Sequence, residues 1–242
     1  MGLTIYYKLF VAENLSSALV RELVQRARLY ALRIGCKEAS DMMRASAEPI
    51  FSRLFVQAGR EEDACFGHVP AKRGWRVEVW PGEGCESAHI GLCQYPRRAE
   101  FLLKGRRGFV VTEYKGGWMF RGSCKTQYAS EHGTEHFVRC HRMIVSILDF
   151  WRQLGATVEV SDEGEYWEKR SEAKLRAILN RYNGLVAAVA GAFKDAAGET
   201  GDGHAVESPI FARKDFERLE AEGWREFGKQ LSQRSCLDGS SA

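Results

Sequence analysis

The sequence predicts an α+β fold, with helices packed on one face of a mainly antiparallel sheet. Three observations carry that expectation. A strand-helix pair opens the chain, the pattern between 37 and 129 is almost wholly β, and the long helical periodicities gather after residue 133. Segregated runs of this kind separate α+β chains from regularly alternating ones. Part of the path fits a ferredoxin-like β-α-β-β-α-β trace, one option among several.

The first strand is "LTIYYKLF" (3–10). Leu3, Ile5, Tyr7 and Leu9 alternate with Thr4, Tyr6, Lys8 and Phe10, so both faces are largely apolar, as in a strand well inside a sheet. In "SSALVRELVQRARLYALRIG", Leu19, Leu23, Ala27, Ala31 and Ile34 form a helical stripe, with Ser16 or Ser17 as cap and Gly35 as stop. Further strands are expected at 50–57, 75–80, 88–95, 109–114 and 118–129. "EYKGGWM" reads as a hairpin turn on Gly116 and Gly117. "WPGEGCE" (80–86) reads as a structured loop, and 58–73 as a mobile excursion.

Residues 134–154 then form a helix with Phe137, His141, Ile144, Leu148 and Trp151 inward, and "TVEVSD" (157–162) a short strand. A long helix follows over 171–198. Its stripe is Leu175, Ile178, Leu179, Tyr182, Leu185, Val186, Val189 and Phe193, and Ala187, Ala190 and Gly191 permit close helix contact. The expected organisation is one α+β domain over 1–198, then a glycine-rich linker, an appended charged helix and a disordered tail over 199–242.

A net charge of +3 argues for no nucleic-acid or anionic-membrane partner. The seven cysteines are odd in number and contain no C-x-x-C, which points to reduced thiols rather than a disulfide framework or a zinc ribbon. The amino terminus lacks signal-peptide features, and Tyr6 stands where a myristoylation motif needs Ser or Thr. Apolar stretches are interrupted by charge, so a soluble, cytoplasmic protein is expected.

"EHGTEHFVRCHRM" (131–143) contains His132-Gly133-Thr134-Glu135-His136, the inverted zinc-protease pattern. That chemistry needs both histidines on one helical face and a third ligand, for which Glu207, Glu217 and Glu220 are available. A helix capped at Thr134 would leave His132 outside it. His132, His136 and Cys140 are the metal candidates, with Cys85, Cys93, Cys124 and His89 as further donors for zinc; no cofactor is otherwise expected. Cys140 and His141 equally extend the apolar stripe, as a buried thiol and a hydrogen-bonded core histidine do.

Cys124, His136 and Asp162 form a possible nucleophile-base-orienter relay. "EVSDEGEYWEKR" gathers Glu159, Asp162, Glu163, Glu165 and Glu168 after a strand, with Tyr166 and Trp167 able to wall a cleft. The same residues also suit a solvated turn. "YPRRAEFLLKGRRGF" (95–109) is the one basic, aromatic-punctuated stretch, and a solvated hairpin accounts for it equally.

The segments "MGLTIYY", "WPGEGCE", "CKTQYAS" and "VSDEGEYWEKR" together resemble a family of uncharacterised bacterial proteins. The resemblance covers most of the chain, from the first strand to the long helix. It implies a domain boundary and no activity, and it does not involve the H-x-x-E-H pattern. The function expected is ligand binding or recognition, in a cleft at strand-end loops lined by Cys85, Cys124, Lys125, Tyr128, Asp162, Glu163, Tyr166 and Trp167. A small molecule or a protein is the expected partner. The alternatives are a hydrolase using Cys124 or the His132/His136/Cys140 set, and a protein-interaction module acting through its helical face.

Overall fold

β1 (Thr4–Val11) buries Ile5, Tyr7 and Leu9 on one face and presents Tyr6, Lys8 and Phe10 on the other. It runs between two antiparallel neighbours, the interior position its sequence predicts. The computed structural model describes residues 3–11, 15–45, 53–58, 65–103, 106–200 and 209–226. These divide into two compact units, Leu3–Glu168 and Lys169–Ala242.

In the first unit β1 leads into α1 (Ser17–Arg33), which Ser16 caps by accepting from the Leu19 N–H at 3.2 Å. The short β2 (Glu38–Ala39) and β3 (Met43–Arg44) follow, then β4 (Arg53–Ala58), β5 (Cys65–Pro70), β6 (Arg73–Trp80) and β7 (Ala88–Gln94). After β8 (Arg98–Leu103) and β9 (Arg106–Val111) come β10 (Trp118–Lys125), α2 (Thr134–Gln153), β11 (Thr157–Asp162) and the one-turn α3 (Tyr166–Lys169).

The main sheet has the order β11-β1-β10-β7-β6-β2, with β3 also on β6 and every pairing antiparallel. Hairpins β4–β5 and β8–β9 form two further two-stranded sheets. In chain order β1, α1, β7, β10, α2 and β11 succeed one another, with β6 and β2 continuing the same sheet beyond β7. α1 and α2 lie side by side, with Tyr30 stacked on Phe150 at 4.2 Å. Both cover the sheet face of Ile5, Leu9, Phe120 and Ile90, which with Val20, Val24, Ile144, Leu148 and Trp151 forms the core. A buried stripe against a half-buried sheet is what ties these elements together.

Several expectations change. The α1 stripe is Val20, Leu23, Val24, Ala27 and Ala31, whereas Leu19 is 39% exposed. Gly116 and Gly117 do take positive φ, yet the turn joins strands of different sheets rather than a hairpin. The excursion 58–73 contains β5 and the start of β6. The strand expected over 118–129 ends at Lys125, and Gln127–His132 is a 3₁₀ turn. α2 begins at Thr134 with Gly133, at φ +103, as its cap, so Thr134 is the first helical residue and not the cap.

The second unit contains α4 (Glu172–Thr200), a 3₁₀ turn at Pro209–Ala212 and helix at 216–226. Close helix contact occurs at Gly184 and Gly223: a Cβ on Gly184 would meet the Gly223 nitrogen at 3.3 Å. Ala187, Ala190, Ile210 and Leu219 are the core of this unit. Phe193, expected inside, is 63% exposed. Glu207, the linker over 201–208, the tail after 226 and the side chains of 101–107 in the basic stretch lie outside the described residues. Among the described residues no helix is long and apolar enough to cross a membrane.

Candidate functional site

The residues singled out from the sequence gather where β10 and β11 end and β1 and β7 begin, but they form two groups with different partners. α2 separates the groups by turning adjacent residues, Cys140 and His141, in different directions.

His141 belongs to a buried polar chain. Its Nε2 donates to Asp162 Oδ2 at 3.1 Å, and its Nδ1 lies 2.9 Å from the Thr126 hydroxyl. Asp162 also accepts from the Gly164 N–H at Oδ1 and the Trp167 N–H at Oδ2, both at 2.8 Å. Burial pushes this carboxyl up. The His141 hydrogen bond and charge, with the two N–H groups, outweigh burial and hold it below the usual range. Glu163 is used similarly: its Oε2 accepts from the Thr4 N–H at 2.8 Å, extending the β1–β11 ladder. Tyr166 lies edge-on to His141 at 6.2 Å, and Arg152 sits over the Trp167 ring at 5.6 Å. This group closes the end of β11.

The second group surrounds Cys140. The loop between β6 and β7 closes a turn from the Cys85 N–H to Gly82 O at 3.2 Å. It is pinned by Trp80 Nε1 on Cys85 O at 3.3 Å and by the Glu86 N–H on Lys125 O at 2.9 Å. Gly84 takes φ +72 with its α-carbon against the Tyr128 backbone, a place no side chain fits. Lys125 and Tyr128 pair with each other, the ammonium 4.6 Å from the ring centre. Lys37 lies over Trp80 at 4.9 Å and pairs with Glu83.

Cys140 and burial raise the Cys85 pKa, while Cys85 lowers that of Cys140 against its burial. His136 Nε2 lies 3.5 Å from the Cys140 sulfur and 3.0 Å from Glu83 O. Arg139, which only donates, reaches His136 Nδ1 at 2.8 Å, so the imidazole proton is on Nε2. Burial, then the Arg139 charge, lowers the His136 pKa from its ordinary value.

The Cys124-His136-Asp162 relay is not assembled. Cys124 is buried, donates to Glu86 O at 3.1 Å, and has its pKa raised by burial and then by the Glu86 charge. His136 faces Glu83, and Asp162 faces His141. Of the metal candidates, the His132 ring lies 5.6 Å from that of His136, whose Nε2 is 3.5 Å from the Cys140 sulfur. Gly133 leaves His132 in the 3₁₀ turn, outside α2, and both His136 nitrogens have partners. Among the described residues no group of three or more His, Cys, Asp or Glu side chains is arranged to hold a metal ion.

Another site went unread in the sequence. On the sheet face away from α1 and α2, register sets Tyr6 between Ser123 and Ser161, and Lys8 between Arg121 and Glu159. These residues line a groove of about 470 Å³. Lys8 lies 3.8 Å from Glu113 and 3.6 Å from Glu159, and Arg121 also pairs with Glu113. Alternation within "FRGS" and "EVS" marks outward positions, but only strand pairing makes them neighbours. The fold and site define an α+β domain with a polar groove on its sheet and a thiol cluster at the sheet end. No protein-family model, curated protein or solved structure matches the chain.

Proposed function

We propose that the chain is a ligand-binding domain whose working surface is the groove across β11, β1 and β10. The observation that carries this reading is the groove itself: about 470 Å³, with the half-exposed Tyr6 ring between two serines. That volume is in the range of small-molecule sites. The recognition surface is thus on the sheet face rather than in the strand-end loops.

The lining suggests the ligand. Lys8 and Arg121 are answered by Glu113 and Glu159, so the groove offers both signs of charge within one row. A complementary molecule is a small zwitterion, such as a free amino acid. Its carboxylate meets Arg121, its ammonium meets Glu159, and its side chain lies on Tyr6.

Titration calorimetry with the free amino acids tests this. At least one binds the wild-type protein, and Tyr6→Ala or Arg121→Ala weakens it by about tenfold or more, the loss expected for one charged hydrogen bond or aromatic contact. Equal affinity in all three proteins, or no binding by any amino acid, would remove the proposal.

A further inference from the structure

We propose that the cavity between α1 and the chain entering β3 is an anion site, which takes the phosphoryl group of a small phosphate monoester. It is separate from the groove across β11, β1 and β10 and does not depend on it.

The placement begins at Trp75. Register sets Arg44 of β3 directly opposite Trp75 of β6, and the Arg44 guanidinium lies over the ring, 5.5 Å from its centre. From α1, Arg21 reaches the same half-buried indole, its guanidinium 5.3 Å from the ring centre. One ring therefore gathers two cations. A guanidinium held over an aromatic face keeps its in-plane N–H donors for an oxyanion.

Arg21 also lines a cavity of about 470 Å³. Ala18, Glu22, Gln25 and Arg26 line it from the same helix, and Met42 lines it from the chain just before β3. The helical residues recur at three- and four-residue steps, so they share one face of α1. The volume is in the range of small-molecule sites.

Charge selects the ligand. Arg21, Arg26 and Arg44 bring three positive charges, and Glu22 is the one carboxylate in the lining. Asp41, next in the chain to Met42, is paired with Arg28 at 3.2 Å and does not answer them. Among the described residues the surplus is thus two positive charges, which matches the dianion of a phosphate monoester near neutral pH. Guanidinium groups bind phosphoryl oxygens through bidentate, charge-assisted hydrogen bonds. Met42 and Ala18 offer the organic part of the ester an apolar contact.

Titration calorimetry on the full chain tests this with phenyl phosphate as the probe and diphenyl phosphate, the monoanionic diester, as its comparison. Phenyl phosphate should bind, and the diester should bind about tenfold or more weakly, as the loss of one charge-assisted contact implies. Arg21→Gln and Arg26→Gln should each weaken phenyl phosphate by about tenfold for the same reason. Glu22→Gln should tighten it by about threefold, the size of one exposed charge interaction. Arg33→Gln removes the same charge from the last turn of α1, away from the cavity, and should leave binding unchanged. All four positions are exposed on the helix, so the substitutions leave the core intact. No binding of phenyl phosphate, equal affinity in the Arg21 and Arg26 variants, weaker binding in Glu22→Gln, an equal loss in Arg33→Gln, or tighter binding of the diester would each overturn the proposal.

Discussion

Asp162 has the composition of a turn former and of a catalytic acid, and the fold uses it as the acceptor on which β11 closes. Its side chain and that of His141 are both fully buried. Removing one member of such a pair leaves the other without compensation, a loss of about 3–5 kcal/mol. Asp162→Asn should therefore lower the unfolding free energy at neutral pH by roughly that amount, measured by urea titration. The sign of the pH dependence follows from the lowered folded-state pKa. The contribution is present above the unfolded carboxyl value, about pH 4, and is lost as pH falls through the folded value. The gap between wild type and Asp162→Asn should narrow on acidification through that window. A gap independent of pH would exclude the charge as its source. His141 is recognisable in the sequence as a buried residue of α2. Its partner is not, because 21 residues separate the two and only the packing of β11 beside α2 joins them.

The elements themselves were largely readable, since α1, α2, β1 and β11 each have a strong period and a clear stop. Errors came where two neighbouring positions fit one period. Leu19 and Val20 both precede Leu23, Ala27 and Ala31 at helical spacing, and periodicity alone does not choose between them. The Ser16 cap and the sheet below choose Val20, which is fully buried. Val20→Ala should cost about 2 kcal/mol, two methyl groups removed from a closed core. Leu19→Ala, with much of its side chain already in water, should stay within about 0.5 kcal/mol. Thermal or urea unfolding of the two variants checks this; equal losses would return the stripe to Leu19. The Gly116-Gly117 turn misled for a different reason. Glycines announce a positive φ but not which strands the turn connects, and β9 and β10 pair with other partners.

At the scale of the molecule, strand order is what the sequence withholds. The interior place of β1 could be inferred from its two apolar faces. That β10 and β11 flank it, and so set Arg121, Ser123, Glu159 and Ser161 around Tyr6, depends on contacts between distant segments. Cys85 and Cys140 could be named from the sequence as joint zinc donors, but the turn that brings Gly82 against Cys140 could not. Among the described residues, the two core clusters named above draw on separate stretches of chain. The first draws its buried residues from Ile5 to Ala156, the second from Ala187 to Leu219. A chain ending at Glu168 therefore retains every buried residue of the first core, along with the groove. It should unfold in one cooperative transition, with the near-ultraviolet dichroism of fixed aromatic side chains, as single domains of this size do. Retained far-ultraviolet dichroism without that aromatic signal would mark a loosely packed state. That result would show that residues beyond 168 are needed to fix the packing of the first core.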